Sequence, residues 1–245
     1  MEESTPRFLD CGETALSVEF GDSVDPAINA RVLTLDARLR AAPPQGLRET
    51  TPTYRALLLR YEPLEISRDA LIAAVDALLA PGGIEEKPSR SALRWTIPCC
   101  YDPAFAEDID VAAALLGRPA PSLAQLHAGA DYRVYMYGFA PGWCYLGGLP
   151  QALAIPRRAS PRGPTPQGAV LIGGALALIA ANPMPTGWYV VGRTPERMFA
   201  PRRDPPFLAA PGEAVRFEPI DAETFLALDA RAAAGETVAR RDAPR

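Results

Sequence analysis

The stretch Tyr135-Met-Tyr-Gly-Phe-Ala-Pro-Gly-Trp-Cys-Tyr-Leu-Gly-Gly148 carries the strongest structural signal in this 245-residue chain. Its glycines, separated by aromatic residues and one proline, let the backbone turn sharply or approach a ligand closely. Exposed N–H groups in such a turn can receive an anion or a carboxylate. Two interpretations stay open: a pocket-forming loop, or a hydrophobic loop that closes one end of a β-barrel. The candidate substrate-binding residues of this stretch are Gly138, Phe139, Pro141, Gly142 and Tyr145.

Short strand-like runs surround this stretch and are separated by glycine and proline. Regular spacing with such punctuation is typical of a β-barrel or a β-sandwich. From residue 221 onward the chain is rich in alanine and arginine, which predicts one helix followed by a frayed end. The strand-like runs are Tyr132–Tyr137 and residues 169–172, 176–181, 188–191 and 214–217.

The N-terminal part has a different pattern, in which predicted strands alternate with predicted helices. Alternating apolar residues over positions 16–20 predict a half-buried strand. Asp25 and Pro26 then supply an N-cap and a first-turn proline for a helix. A dense apolar run over residues 54–61 predicts a second strand, and Ser67 can cap a second helix. This alternation predicts a small α/β domain.

A composition change divides the chain. Residues 81–92 hold two prolines, two glycines and a small charge cluster, and we interpret them as a linker. The fold class that follows is α+β. We expect an α/β domain at residues 1–88, a β-barrel domain at residues 89–220, and a C-terminal helix and tail at residues 221–245.

The candidate catalytic residue is His127, the only histidine in the chain. Ser122-Leu-Ala-Gln125 matches a capping box and predicts a short helix that ends near this residue. A histidine with an ordinary pKa titrates near neutral pH, so it can act as a general acid or base or bind substrate. At a helix C-terminus it can also be structural, interacting with the dipole or a carbonyl.

Two further clusters place arginine beside proline or glycine. Arg157 and Arg162 lie in a loop with prolines on both sides, and Arg193 and Thr194 follow a strand that ends in glycine. Arginine in a fixed loop holds a carboxylate or phosphate in a bidentate fork. Arg157, Arg162 and Arg193 are candidate anion or carboxylate clamps, and Thr194 is a further candidate substrate-binding residue. The alternatives are a solvated basic loop for the first cluster and barrel closure for the second.

Composition excludes several classes of function. A net charge of −4 does not provide the positive charge that binding to nucleic acid requires. The sequence has neither an apolar run long enough to span a membrane nor a signal peptide, so we expect a cytoplasmic location. The only lysine, Lys87, lies in Glu-Glu-Lys-Pro, so the chain has no P-loop, and a Schiff-base lysine is not expected. One histidine and cysteines without a C-x-x-C pair predict neither a metal site nor a disulfide framework.

At these motifs the sequence resembles a known family. Tyr-Gly-Phe-Ala-Pro-Gly-Trp-Cys-Tyr-Leu-Gly-Gly, Pro-Arg-Arg-Ala-Ser-Pro-Arg and Gly-Trp-Tyr-Val-Val-Gly-Arg-Thr-Pro together look like the signature of the B subunit of 5-oxoprolinase. This family is also called allophanate hydrolase subunit 1 or the Kip-inhibitor family. Shorter segments at residues 10–21, 51–55, 97–102 and 211–219 extend the resemblance over about residues 8–220.

The resemblance implies a small α/β domain followed by a cyclophilin-like β-barrel, as in carboxyltransferase domains. It implies a cytoplasmic hetero-oligomer in which this chain works with A-type and C-type proteins of the same complex and is inactive alone. The complex would use ATP to open the lactam ring of 5-oxo-L-proline to L-glutamate. Whether this chain itself contacts ATP is left open, and the site would lie at the barrel mouth or at the interface with the C-type protein.

Two other functions remain open under the same resemblance. One is a regulatory protein that inhibits a histidine kinase, and the other is a carboxyltransferase component of a urea carboxylase or allophanate-type system. The sequence also departs from the family pattern, because Ala-Leu follows Gly173-Gly174 where a Gln-Thr pair is common. If that pair lines the pocket, this chain would act on a different amide or be a divergent paralogue.

Overall fold

The computed structural model describes residues 5–80 and 94–242. The chain divides into two compact units, Met1–Arg90 and Ser91–Arg245. The predicted linker at residues 81–92 lies outside the described residues. Among the helices that are described, none has the length and apolar character needed to cross a membrane.

The first unit is a four-stranded antiparallel sheet with two helices. The strand order is β1-β2-β4-β3. The elements are β1 (Arg7–Asp10), β2 (Ala15–Glu19), α1 (Pro26–Ala41), β3 (Leu47–Pro52), β4 (Ala56–Tyr61) and α2 (Arg68–Leu79).

Both helices of this unit begin where the sequence predicts. The Asp25 carboxylate accepts hydrogen bonds from the N–H groups of Ala27 and Ile28 at 2.7 and 3.1 Å. The Ser67 hydroxyl accepts one from Ala70 N–H at 3.2 Å. These bonds satisfy N–H groups that have no partner inside the helix. The apolar core of the unit is formed by Leu16, Val18, Val32, Leu35, Leu39, Leu57, Leu59, Leu71 and Val75.

The second unit contains the remaining elements. They are β5 (Arg94–Cys100), α3 (Ile109–Leu115), α4 (Ala120–Ala128), β6 (Tyr132–Tyr137), β7 (Cys144–Gly147), a 3₁₀ turn (Gln151–Leu153), β8 (Ala169–Gly173), β9 (Leu176–Ile179), β10 (Tyr189–Arg193), β11 (Ala214–Ile220), α5 (Ala222–Ala233) and β12 (Arg240–Asp242).

Seven strands of this unit close into a β-barrel in the order β10-β8-β9-β7-β6-β11-β5. Pairing of Arg193 on β10 with Cys100 on β5 completes the ring. Strands β5 and β11 are parallel, and the other pairs are antiparallel. The α+β fold class with a smaller sheet and a barrel is therefore confirmed.

Side chains on the barrel strands alternate between two buried clusters. Val170 and Ile172 belong to the large cluster that fills the barrel. Ala169 and Leu171 belong to a smaller cluster on the other face of the same strand, with Trp143 and Trp188. Because successive residues of a strand point to opposite faces, β8 is covered on both sides, and its interior is a packed core.

Two local predictions are wrong. Helix α4 begins at Ala120 after Pro119 and has no side-chain cap, so Ser122 does not start it. Proline in the first turn supplies the helical φ angle without a capping side chain. Helix α5 is confirmed, but the chain after it is not frayed as far as residue 242, because Arg240–Asp242 pair antiparallel with β5.

Candidate functional site

The loop between β6 and β7 lines an open surface depression of about 310 Å³, which we call the aromatic pocket. Its volume lies at the lower end of the range typical of small-ligand sites. Of the residues predicted from the glycine-rich stretch, all but Tyr145 contribute to it. The pocket is lined by Tyr137, Gly138, Phe139, Ala140, Pro141, Gly142 and Phe207.

The loop is a tight turn held by its own backbone. Gly138 N–H donates to the Trp143 carbonyl at 3.2 Å, and Trp143 N–H donates to the Ala140 carbonyl at 3.1 Å. Ala140 N–H donates to the Gly138 carbonyl at 2.9 Å, so the bonds of the turn do not use the N–H groups of Phe139 and Gly142. In a turn of this kind, a backbone N–H without a partner in the loop can receive a carbonyl or carboxylate of a ligand.

Phe139 is unusual in both conformation and exposure. Its φ angle is +69°, and it is the only non-glycine residue with a positive φ in the described parts of the chain. A bulky side chain in this region strains the backbone, and such strain concentrates at binding and catalytic sites. The ring is 66% exposed, and its centroid lies 5.0 Å from that of Trp143. The fold thus holds a strained aromatic side chain at the edge of the pocket.

A distant loop, between β10 and β11, supplies the opposite wall. The ring of Phe207 lies 4.7 Å from that of Tyr137 and 5.0 Å from that of Phe199. The Tyr137 hydroxyl donates to the Ala209 carbonyl at 2.7 Å, which fixes the two loops together. Sequence analysis missed Phe199 and Phe207, because they lie in a proline-rich segment without periodicity or a recognisable motif.

Tyr145 and Arg157 do come together, but as a second group on the outer side of the barrel. Arg157 lies over the Trp188 ring at 5.4 Å, and Tyr145 meets the same ring edge-on at 6.0 Å. Burial raises the pKa of Tyr145, and the positive charge of Arg157 opposes that rise. Arg157 is exposed, so its guanidinium is accessible to an anion.

Arg162 is held by carboxylates of its own chain. It pairs with Glu107 and, at 2.6 Å, with Asp108. Asp108 also binds Arg158 at 3.1 Å and accepts the Val190 N–H at 2.9 Å. This network fastens the loop after the 3₁₀ turn to the start of α3 and to β10. Arg162 is therefore engaged structurally in this conformation.

Arg193 and Thr194 are also engaged within the fold. Arg193 lies 5.4 Å over the Phe225 ring of α5, and its Nε donates to the Gln167 carbonyl at 2.9 Å. Thr194 is 1% exposed, and its hydroxyl accepts the Glu196 N–H at 3.1 Å. The arginines predicted as clamps thus have different neighbours and do not form a single anion site.

His127 lies inside the barrel unit, fully buried. Its Nδ1 is 2.8 Å from the Tyr101 hydroxyl, and its ring packs against Tyr132 and Phe217. Burial lowers the His127 pKa to about 3, so the ring is neutral at pH 7. Its Nε2 has no hydrogen-bond partner among the described residues. The acid–base role stays a prediction, and this geometry favours a structural role.

Tyr101 connects His127 to a second cavity. This cavity has a volume of about 500 Å³ and lies between α4, the start of α5 and the ends of β5 and β11. Tyr101 lines it, while His127 does not. A ligand there would meet the tyrosine, and the histidine would act only through it.

The three buried cysteines are poorly suited to nucleophilic chemistry. Cys99, Cys100 and Cys144 are buried free thiols, and burial raises the pKa of each, that of Cys144 to about 12. A thiol that stays protonated is a weak nucleophile. Within residues 5–80 and 94–242, no group of three or more His, Cys, Asp or Glu side chains is placed to hold a metal ion.

Comparison with known proteins shows that the chain is similar to members of one protein family. The model described as carboxyltransferase domain, subdomain C and D, matches residues 6–209. The B subunit of 5-oxoprolinase from Bacillus subtilis (strain 168) is 29% identical over 224 residues, which cover 87% of this chain and 92% of that protein. The B subunit of 5-oxoprolinase from Escherichia coli O157:H7 is 35% identical over 211 residues, 85% of this chain and 93% of the relative.

Two solved structures have a similar fold. The crystal structure of TTHA0988 matches with a TM-score of 0.74 and 33% identity, over 85% of this chain and 40% of its own. The urea carboxylase of Kluyveromyces lactis matches with a TM-score of 0.80, over 97% of this chain and 24% of its own. At 18% identity this second likeness concerns the fold alone. The chain thus spans less than half the length of both structures.

Proposed function

This chain belongs to the carboxyltransferase domain family, subdomain C and D, and we propose that it is the B-type subunit of an ATP-dependent 5-oxoprolinase. Such a complex opens 5-oxo-L-proline to L-glutamate. Two relatives named as the B subunit of 5-oxoprolinase, each aligned over more than four-fifths of this chain, support the proposal. Their names also support an assembly of several different subunits, in which we expect A-type and C-type partners.

The observation that carries the proposal is the aromatic pocket, built by the most distinctive motif in the sequence. A five-membered lactam has two flat apolar faces, an amide and a carboxylate. The rings of Tyr137, Phe139 and Phe207 offer apolar walls for those faces. The N–H groups of Phe139 and Gly142, which the turn does not use, suit the lactam carbonyl or the carboxylate.

Lactam opening needs groups that we assign to the partner proteins. The oxygen of a water molecule is added to the carbonyl carbon, the ring C–N bond breaks, and the nitrogen takes up a proton. His127 is buried and neutral, and burial keeps the thiols of Cys99, Cys100 and Cys144 protonated, so none of these groups is suited to activate that water. We propose that this chain binds and orients the lactam while the partners supply activation.

ATP fits a partner better than this chain. A triphosphate is normally bound by convergent basic side chains or by a glycine-rich loop. Arg162 is paired with Glu107 and Asp108, and Arg193 lies over Phe225, so these two cannot join Arg157 around one ligand in this conformation. We therefore expect a partner protein to bind ATP.

Carboxyl transfer is the second candidate. It is favoured by the description of the matching family and by the fold likeness to a urea carboxylase. The same pocket would then hold a flat amide or urea as acceptor. Dependence of the activity on bicarbonate and on a biotinylated partner distinguishes this candidate from lactam hydrolysis.

Reconstitution tests the proposed function. The chain is co-expressed with A-type and C-type partners, and glutamate formed from 5-oxoproline is measured with and without ATP. We expect ATP-dependent glutamate that disappears when this chain is omitted. A stable complex that makes no glutamate but transfers a carboxyl group from a biotinylated partner would replace the first candidate with the second. Failure to form any complex would contradict both.

A further inference from the structure

The β10–β11 loop, residues 194–213, carries the Phe207 wall of the aromatic pocket, and a buried carboxylate lies near each of its ends. Glu196 is 1% exposed and Glu213 is 8% exposed. A buried carboxylate is costly unless several donors surround it, so its partners show what it holds in place. For both residues, part of the donor set comes from the C-terminal segment, residues 236–242.

Glu196 joins the start of the loop to this C-terminal segment. Its Oε2 accepts the backbone N–H groups of Val238 and Ala239, both at 2.7 Å. Its Oε1 accepts the Arg197 N–H at 2.9 Å and is 3.2 Å from Arg203 Nη1. One carboxylate therefore binds two segments that are far apart in the sequence.

Arg203 links Glu196 to the part of the loop that forms the pocket wall. Its Nη2 donates to the carbonyls of Arg197 at 2.9 Å and Pro206 at 3.2 Å. The guanidinium thus links the two sides of the turn that presents Phe199 and Phe207. The charge that makes these bonds strong is balanced by Glu196.

Glu213 makes the matching connection at the end of the loop. Its Oε2 accepts the Ala210 N–H and the Trp95 indole N–H, both at 2.9 Å. Its Oε1 pairs with Arg241 of β12, whose guanidinium also lies 5.3 Å over the Trp95 ring. The C-terminal segment thereby holds both ends of the loop.

We propose that the C-terminal segment is a positioning element of the aromatic pocket, acting through Glu196 and Glu213. The family model ends at residue 209, so it includes Glu196 but neither Val238 nor Arg241. Releasing the segment leaves two buried carboxylates short of donors, and the loop relaxes to bring them to water. Phe207 then moves away from Tyr137 and the pocket opens.

The first test is hydrogen exchange on Glu196→Gln, with Glu218→Gln as the matched control. Glutamine keeps the size of the side chain but replaces one acceptor oxygen with an NH₂ donor. That donor cannot accept a hydrogen bond from Val238 N–H, Ala239 N–H or Arg203. Glu218 also holds the C-terminal segment, through Arg240 at 2.8 and 3.0 Å, but on an exposed surface away from the loop.

We expect exchange over residues 197–209 and 236–242 to rise about tenfold in Glu196→Gln, with β6 and β8 unchanged. Residues 197–209 should keep wild-type exchange in Glu218→Gln. Equal exchange in the two variants would overturn the proposal. If Glu196→Gln does not fold, Arg241→Gln is the alternative variant. It removes the ion pair between Arg241 and Glu213 at an exposed position, and we expect it to loosen residues 208–213.

The second test uses the reconstituted complex, and only this test rests on the proposed function. A displaced pocket wall should raise KM for 5-oxoproline about tenfold while kcat changes little, a split that general destabilisation does not produce. A looser loop with wild-type KM would overturn the link to the pocket. If even the wild-type complex makes no glutamate, the proposed function fails, and hydrogen exchange alone decides whether the segment positions the loop.

Discussion

The backbone of Gly142 lies directly against the side chain of Phe199, so a Cβ atom at position 142 would overlap the Phe199 Cβ and stand 2.8 Å from that of Ala181. The φ angle at Gly142 is +79°, which glycine adopts without strain. This close contact joins the two loops that form the aromatic pocket. The pocket therefore depends on glycine at this position for two separate reasons.

Gly142→Ala should destabilise the chain more than replacement of a glycine that has a positive φ but no close neighbour. Gly174 is the matched control, because its φ is +63° but a Cβ there meets nothing within 4 Å. We expect both variants to lose stability, with Gly142→Ala losing about 1–3 kcal/mol more because of overpacking. Urea unfolding of the two variants measures this difference. Equal losses would show that Phe199 does not constrain Gly142.

The Phe139 side chain should lower the stability of the chain and strengthen binding of the lactam. Phe139→Gly relieves the positive φ, worth of order 1 kcal/mol, and loses little buried surface because the ring is largely exposed. We expect unchanged or higher thermal stability and weaker binding of the lactam by the complex. Phe139→Ala keeps the backbone strain and lacks the ring, so it separates the two effects. Stability lost in Phe139→Gly but not in Phe139→Ala would contradict the strain argument.

His127 should contribute to acid sensitivity. Burial lowers its pKa from the ordinary 6.5 to about 3 in the folded chain. Between these values the unfolded chain binds the extra proton, so stability falls as the pH drops from 6.5 toward 3, by at most about 1.4 kcal/mol per pH unit. Above pH 6.5 this group adds no pH dependence.

His127→Gln removes that titration. Its stability, followed by urea unfolding from pH 7 to pH 4, should decline less steeply than that of the wild type. In the reconstituted complex the variant should keep most of its kcat, because the ring is buried away from the aromatic pocket. Loss of kcat with unchanged stability would instead support the acid–base role predicted from the sequence.

Arg162 and Arg157 should respond differently to substitution. Arg162 pairs with Asp108, whose side chain is only 13% exposed, whereas Arg157 is exposed and stacks on Trp188. We expect Arg162→Ala to lose of order 2 kcal/mol of stability, because Asp108 is left under-paired, and Arg157→Ala to lose about 0.5 kcal/mol. Thermal unfolding compares them. The opposite order would contradict the structural role of Arg162.

Much of the fold follows from local sequence patterns. Asp25 and Ser67 cap the predicted helices, and β6 has the predicted ends, because capping chemistry and short-range alternation are local. Two strands were not predicted: β7, which lies inside the glycine-rich stretch, and β12, a short polar strand that only pairing with β5 stabilises. Both depend on partners that the local pattern does not reveal.

The site was predicted only in part. Gly138 and Gly142 line the aromatic pocket, and the sequence could indicate them because sharp turns demand glycine. Phe207 and Glu196 were not predicted, since their roles arise from contacts with Tyr137 and with Val238 across the fold. Arginine beside proline suggested a clamp, but the sequence could not show that Asp108 already pairs with Arg162.

The most direct test of the central claim, that the aromatic pocket of this chain receives the lactam, is a blocking substitution in the reconstituted complex. Ala140→Trp fills the pocket, and Ala30→Trp, on an exposed face of α1 in the first unit, is the control. Glutamate formed from 5-oxoproline should fall at least about tenfold in kcat/KM for Ala140→Trp and stay at the wild-type level for Ala30→Trp. Wild-type kcat/KM in an assembled Ala140→Trp complex would contradict the account.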